Sequence, residues 1–103
     1  MIGYLFTYET LRDRALDEKV LGHFVPPAIP SILYDWKKIH VDKDYYTLDP
    51  APGELTLGMV YPIDMERDLE ILDNWEDLYE RIEVELLQVL GPVQGPVWTY
   101  VLK

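Results

Sequence analysis

Residues Tyr4 to Arg12 read Tyr-Leu-Phe-Thr-Tyr-Glu-Thr-Leu-Arg, an apolar and aromatic run that changes abruptly to polar side chains. Bulky and aromatic residues suit the pleated, packed surface of a sheet, so the run predicts a buried strand over residues 1–8. Where such a strand opens into a turn, its backbone N–H groups become available to a ligand. The chain just after Tyr8 is therefore a candidate binding site.

Length and composition indicate one small globular domain over residues 1–103. Hydrophobic residues make up 49% of the chain and charged residues 27%, which is typical of a folded domain. No apolar run approaches the roughly 18 residues that span a bilayer, and no basic and apolar leader opens the chain. We therefore expect a cytoplasmic protein.

The strong negative charge argues against two classes of partner. The formal net charge is −10, whereas proteins that bind nucleic acid neutralise phosphates with Lys and Arg. The same field disfavours anionic membrane surfaces, so we expect neither nucleic acid nor a membrane as partner. A small acidic ligand would need a local positive or N–H-rich pocket. The sequence leaves the oligomeric state open.

The inventory of reactive side chains disfavours several mechanisms. The chain has no cysteine, which excludes thiol catalysis, disulfides and thiolate metal sites. Ser31 is the only serine, and His23 and His40 are the only histidines, so a Ser-His-Asp triad has few residues to draw on. The histidine spacing fits no metal-site pattern, and no glycine-rich phosphate loop is present. We expect no metal and no cofactor.

The first half of the chain mixes strand patterns with turn chemistry. Residues 12–21 predict a loop with one short helix. The prolines within residues 24–34 predict an edge strand or an extended crossing segment, because proline cannot donate to a ladder. Strand character resumes over 32–36 and again at 39–41. Residues 42–53 predict turn and loop.

The second half predicts strands around one clear helix. Residues 54–63 alternate as a strand, and Gly58 inside it marks a bulge or a close approach of backbones. Asp64 is a good N-cap for a helix over residues 65–75. Two further strands follow at 78–90 and 97–102, and the alternation in the second places Trp98 and Tyr100 on one face. The order predicts an α+β fold with a small mixed, barrel-like sheet and one main helix.

Glu76 is the sharpest catalytic candidate. Met65, Leu69 and Leu72 share an apolar stripe within about 60° on the helix, and Glu76 continues that line. A carboxylate on an apolar stripe is desolvated, which raises its pKa and suits it to proton transfer near neutral pH. The alternative is that Glu76 belongs to a solvated acidic run over residues 73–77.

Arg81 and Tyr79 are candidates for substrate binding. Arg81 can pair with a ligand carboxylate, or form a surface ion pair with Glu83 or Glu85. Tyr79 can line a pocket, although most tyrosines in a small domain pack at the edge of the core.

Three segments resemble, in order, motifs of the γ-glutamylcyclotransferase-like family. Tyr8-Glu9-Thr10-Leu11 resembles the Tyr-Gly-Thr/Ser-Leu signature that ends the family's first strand. Residues 57–64, Leu-Gly-Met-Val-Tyr-Pro-Ile-Asp, resemble its Val-x-Gly-x-Val/Leu-Tyr-x-Val/Ile-Asp strand. Residues 72–84 resemble its Leu-Asp-x-x-Glu-Gly…Tyr-x-Arg-x-x-Val block. The likeness is greatest to the short γ-glutamylamine cyclotransferase branch.

The resemblance implies a small β-barrel with helices packed around it and a pocket between the exit of the first strand and Glu76. It implies a turn that binds the γ-glutamyl group through the backbone of Tyr8, Glu9, Thr10 and Leu11. Glu76 would be the general acid/base. The substrate's α-amine would attack its own side-chain carbonyl and release 5-oxoproline and a free amine.

Two positions depart from the family pattern. Glu9 replaces the turn glycine, and Asp77 replaces the glycine after the family's glutamate. The leading hypothesis is a cyclotransferase that acts on a γ-glutamyl-amine-like small molecule. The alternative is a catalytically inactive or diverged small-molecule-binding domain of the same fold. A third hypothesis is a folded domain with only a protein partner.

Overall fold

A computed structural model of the chain describes residues 2–8, 22, 28–42, 45–75, 78–89 and 95–102. These residues form six strands and one helix. The elements are β1 (Ile2–Thr7), β2 (Ile29–Asp42), β3 (Tyr45–Asp64), α1 (Met65–Trp75), β4 (Tyr79–Val84), β5 (Leu86–Val89) and β6 (Val97–Leu102). The loop predicted over residues 12–21 lies outside the described residues.

The six strands form one mixed sheet in the order β4-β6-β1-β3-β2-β5. Strands β1 and β6 are parallel, and the other neighbours are antiparallel. Strands β4 and β5 stand at opposite ends of this order, yet only Glu85 separates them along the chain. The two ends must therefore lie close together, so the sheet curls into a half-barrel. This confirms the predicted α+β class.

Strand β1 lies inside the sheet and has a buried side chain on each face. Phe6 packs with Val60 in the cluster on the inner face, and Leu5 packs with Tyr61 and Leu72 in the cluster beneath α1. Both Leu5 and Phe6 are almost completely buried. The predicted buried strand is confirmed, because its apolar residues fill both layers of the core.

Gly58 marks a close approach between β1 and β3. A Cβ atom at Gly58 would lie 2.4 Å from the carbonyl oxygen of Thr7 and 2.5 Å from the Phe6 ring. Only glycine leaves room for that approach, which is one of the two features predicted for this position.

The predicted turn and loop over residues 42–53 is wrong for 45–53, because β3 runs without a break from Tyr45 to Asp64. Residues 45–50 pair with the second half of β2, from Trp36 to Asp42. Pairing between distant residues has overridden the local preference of proline and glycine for turns.

The pairing of β2 with β3, which together form a long hairpin, is interrupted by a bulge. Tyr34 pairs with Leu55, but the next residues in register are Trp36 and Pro50. Asp35 lies between them with a φ of 72°, and its Oδ1 accepts a hydrogen bond of 2.9 Å from the backbone N–H of Gly53. The aspartate thereby supports a left-handed backbone that most side chains avoid.

Two further predictions about strands are corrected. The prolines predicted an edge strand or a crossing segment at 24–34, but β2 pairs with β3 on one side and β5 on the other. It is one strand where the sequence suggested two, and residues 23–27 lie outside the described part of the chain. The single long strand predicted at 78–90 is in fact β4 and β5, because β4 pairs with β6 whereas β5 pairs with β2.

Helix α1 has the predicted bounds and cap. The Oδ1 atom of Asp64 accepts hydrogen bonds from the backbone N–H groups of Glu66 and Arg67, at 3.0 and 3.1 Å. Leu72 is fully buried, as the apolar stripe predicted, but Asp68 is fully buried too. None of the described residues belongs to a helix long and apolar enough to cross a membrane.

Candidate active site

The exit of β1 is tied to β6 by a tyrosine. Tyr8 is only 6% exposed and packs in the inner core cluster. Its hydroxyl donates a hydrogen bond of 2.5 Å to the backbone carbonyl oxygen of Tyr100. This bond joins positions 92 residues apart and holds the end of the first strand against the last strand.

A second tyrosine bond continues from β6 to the helix. The hydroxyl of Tyr100 donates to Oδ1 of Asp73 at 2.7 Å. Asp73 lies in the last turn of α1, three residues before Glu76. The exit of β1 and the carboxyl end of the helix are therefore linked through a single residue, Tyr100.

Arg81 approaches the same carboxylate from β4. Its Nη2 lies 3.5 Å from Oδ2 of Asp73, and its guanidinium carbon lies 4.8 Å from the centroid of the Trp98 ring. The ion pair thus joins Arg81 to the helix rather than to Glu83 or Glu85. A cation over an indole face is attracted by the ring, so Trp98 and Asp73 together hold the guanidinium in place.

Tyr79 lies two residues before Arg81 at the start of β4, and it ties this strand to the start of β3. Its hydroxyl donates to the backbone carbonyl oxygen of Tyr46 at 3.1 Å. The Nζ of Lys38 lies 4.7 Å from the centroid of the Tyr46 ring, and the His40 ring stacks on that ring at 4.7 Å. The hydroxyl therefore helps to close the half-barrel.

The structure describes three of the seven residues predicted for the site. Tyr8 and Arg81 are linked through Tyr100 and Asp73, and Tyr79 is two residues from Arg81 on the same face of β4. The other four residues lie outside the described part of the chain: Glu9, Thr10, Leu11 and Glu76. Tyr79 and Arg81 lie on the face of the sheet that carries α1, since Arg81 pairs in register with Tyr100, which packs with Leu72 of the helix.

Sequence reasoning assigned no role to Asp73, Tyr100 or Trp98. The alternation of Val97 to Leu102 did predict that Trp98 and Tyr100 share a face, and the register with β4 agrees. The missing information was the partner across the sheet, because no local spacing shows that Asp73 faces both Tyr100 and Arg81.

The described part of the site contains one positive side chain, Arg81, which is paired with Asp73. Asp73 and Arg81 keep 41% and 26% of their side chains exposed, so both are within reach of solvent. Within the described ranges, no group of three or more His, Asp or Glu side chains is arranged to hold a metal ion.

Comparisons with solved structures place the fold among known relatives. A protein of Arabidopsis thaliana known from a solution structure superposes with a TM-score of 0.82 at 20% identity, over 99% of this chain and 62% of that one. A second Arabidopsis thaliana protein gives 0.76 at 22% identity, over 98% and 68%. A structure named gamma-glutamyl cyclotransferase gives 0.72 at 18% identity, over 100% and 68%. The chain spans less than two thirds of the length of the first of these relatives.

The comparison with curated proteins finds no match to this sequence. The model of one family matches residues 5–103, which is nearly the whole chain. The chain therefore belongs to the gamma-glutamyl cyclotransferase, AIG2-like family.

Proposed function

We propose that the protein is a cyclotransferase that acts on a γ-glutamyl-amine-like small molecule and releases 5-oxoproline. Membership of the family supports this class of reaction. The observation that carries the proposal is the link from Tyr8 through Tyr100 to Asp73. It joins Tyr8, which directly follows β1, to the last turn of α1, and in the sequence Glu9 to Leu11 follow the one and Glu76 follows the other; the proposed reaction needs both segments in one site.

The proposed reaction moves two protons from the α-nitrogen to the leaving nitrogen and exchanges one C–N bond for another. Glu76 takes one proton from the substrate's α-ammonium group, and the free α-amine attacks the γ-carbonyl carbon. A C–N bond forms in the five-membered ring, and the original amide C–N bond breaks as Glu76 gives its proton to the leaving nitrogen. The ring nitrogen passes its second proton to the released amine, which departs as an ammonium ion. Because ring closure is intramolecular, the protein mainly has to fold the substrate and relay the proton.

Glu76→Gln tests the proposed acid/base role. The purified chain is incubated with γ-glutamyl amines, and 5-oxoproline is measured by chromatography. Since general acid/base catalysis contributes about 10²–10⁴-fold, we expect the variant to lose at least about 100-fold in kcat. Glu80→Gln is the matched control, because Glu80 is an exposed glutamate four residues away on β4. Absence of 5-oxoproline with the unaltered chain at every pH would refute the proposal.

We further propose that Glu9 directs the choice of leaving group towards neutral or cationic amines. Two like charges about 4 Å apart repel by about 4 kcal/mol at an effective dielectric constant of about 20. A carboxylate at Glu9 therefore disfavours a leaving amine that carries a carboxylate of its own. The γ-glutamylamine branch fits this requirement, since its leaving amines need carry no acid.

A pair of substrates of similar size tests the role of Glu9. We expect γ-glutamyl-n-propylamine to react faster than γ-glutamylglycine, whose leaving group ends in a carboxylate. In Glu9→Gly and in Glu9→Gln the ratio of the two kcat/KM values should fall towards one, because both variants remove the charge. A ratio that stays the same in both variants would show that Glu9 does not face the leaving group.

A further inference from the structure

Helix α1 covers only one end of the sheet face on which it packs. Tyr61 of β3 packs with Leu72 beneath the helix. Because side chains alternate along a strand, Leu55, Leu57 and Met59 share the face of Tyr61. They keep 51%, 72% and 38% of their surface exposed. The face therefore continues along β3, beyond the helix, as exposed apolar surface.

Strand β2 extends this surface to a second row of apolar side chains. Three of its residues stand directly opposite those of β3, with Pro30 paired with Met59, Ile32 with Leu57 and Tyr34 with Leu55. Pro30 and Tyr34 are exposed, and Ile32 is partly buried. These six side chains form an outer ladder that contains no charged group.

The concentration of apolar groups in the outer ladder is typical of an interface. Single exposed apolar residues are ordinary, whereas contiguous apolar patches on a monomer rarely exceed about 300–600 Å² and often serve an interaction. A stable dimer buries about 800 Å² on each partner, with an apolar centre and a polar rim. The ladder has the composition of such a centre. Beyond the bulge the same face carries Lys37 opposite Asp49, which are suited to the rim.

Charge and shape indicate that the partner is a second copy of the chain. A basic partner would be drawn to acidic side chains, and the outer ladder has none. Two copies of net charge −10 repel each other over most of their surfaces, but at the ladder they can meet without bringing like charges together. A sheet face presents rows of evenly spaced side chains, so an identical face offers matching rows at a separation of about 10 Å.

We propose that the protein forms a two-fold symmetric dimer in which the outer ladders of two copies pack face to face. The same patch then serves both copies, and Leu57, in the middle row of the ladder, lies nearest the axis. Arg81 is on β4, four strands away from β2 in the order of the sheet, so the candidate active site stays outside the interface. The inference is independent of the proposed function.

Sedimentation equilibrium of the whole chain, from micromolar to millimolar concentration, tests the dimer. We expect a reversible equilibrium between monomer and dimer with no larger species, because an isologous interface closes on itself. The Kd should fall when salt rises from about 0.01 M to about 0.15 M, since salt screens the repulsion between two acidic copies and leaves apolar contact in place. A Kd that rises with salt would show an interface held by ion pairs and would overturn the proposal.

A charged side chain in the ladder tests the location of the interface. We expect Leu57→Lys to raise the Kd at least about tenfold, because the symmetry brings two ammonium groups into an apolar contact. Ile2→Lys is the matched control, since Ile2 is 51% exposed at the start of β1 and the change of charge is the same. Both replaced side chains are mostly exposed, so both variants should fold, which circular dichroism checks.

Methyl NMR of the unaltered chain shows which side chains enter the contact. We expect the methyl resonances of Leu57 and Met59 to shift with protein concentration, and those of Leu78, which is also exposed but lies just before β4, to stay in place. A chain that remains monomeric at every concentration would overturn the proposal. So would a dimer that Leu57→Lys weakens no more than Ile2→Lys does, or one in which the Leu57 methyls do not respond.

Discussion

Asp73 is the residue at which three elements of the fold meet. Its two carboxylate oxygens face different partners, the hydroxyl of Tyr100 on β6 and the guanidinium of Arg81 on β4. A single carboxylate thereby fixes the last turn of α1 against two strands. Any displacement of this turn would also displace the start of the segment that contains Glu76.

The two contacts of Asp73 contribute unequally to stability. The side chain is 41% exposed, so the ion pair with Arg81 contributes little, whereas the 2.7 Å bond from Tyr100 is short and well formed. We expect Asp73→Ala to lower the free energy of unfolding by about 1–2 kcal/mol and Asp73→Asn to lower it less, since asparagine keeps the acceptor. Urea unfolding measures both, and equal losses would show that the Tyr100 bond is not the main contact.

At the scale of elements, helix α1 begins in a reciprocal cap. The carboxylate of Asp64 accepts from the first-turn N–H groups, and the backbone N–H of Asp64 donates to Oδ2 of Asp68 at 2.9 Å. The other oxygen of Asp68 accepts from Nε of Arg67 at 3.0 Å, which explains how a fully buried carboxylate is tolerated. The bond to Asp68 raises the pKa of the Arg67 guanidinium above its ordinary value. These hydrogen bonds thus fix the first turn of α1 to the end of β3.

Removal of the cap tests how much the helix depends on it. We expect Asp64→Ala to destabilise the protein by about 0.5–2 kcal/mol, because two first-turn N–H groups lose their acceptor. Glu66→Ala is the control, since it removes a neighbouring acid from the first turn and leaves the cap in place. Thermal unfolding followed by circular dichroism compares them. A control that loses as much stability as Asp64→Ala would mean that charge near the helix end matters more than the cap.

The whole molecule is a sheet whose two ends meet. The contacts that curl it come from side chains far apart in the sequence: Thr47 Oγ1 accepts from the backbone N–H of Leu102 at 2.9 Å, and Tyr79 donates to the carbonyl of Tyr46. The start of β3 is thereby held against the end of β6 and the start of β4. The curl is what brings the hairpin of β2 and β3 to the side of the molecule on which Arg81 lies.

The net charge of −10 acts on the whole molecule and predicts a salt effect. Self-repulsion among like charges destabilises the compact state, and salt screens it, with a Debye length of about 30 Å at 0.01 M and about 8 Å at 0.15 M. We expect Tm to rise between these concentrations, by about 4–8 °C for each kcal/mol of repulsion removed. NaCl and KCl should act alike. A fall in Tm would show that ion pairs such as Arg81 with Asp73 outweigh the repulsion.

The sequence by itself determined the features that depend on near neighbours along the chain. These are the buried strand β1, the bounds of α1 with its Asp64 cap, and the shared face of Trp98 and Tyr100. The family followed from the order of three short motifs, and the model match over residues 5–103 agrees. Periodicity and capping are local properties, so they can be read without knowing which strands pair.

Only the tertiary structure decided which distant residues meet. It made residues 45–53 part of β3, divided the predicted strand at Glu85 and buried Asp68. It also brought Asp73 to Tyr100 and Arg81. The physical reason is that a backbone or carboxylate group takes the partner that the curled sheet places opposite it, and that partner is set by strand pairing across the whole chain rather than by the residues beside it.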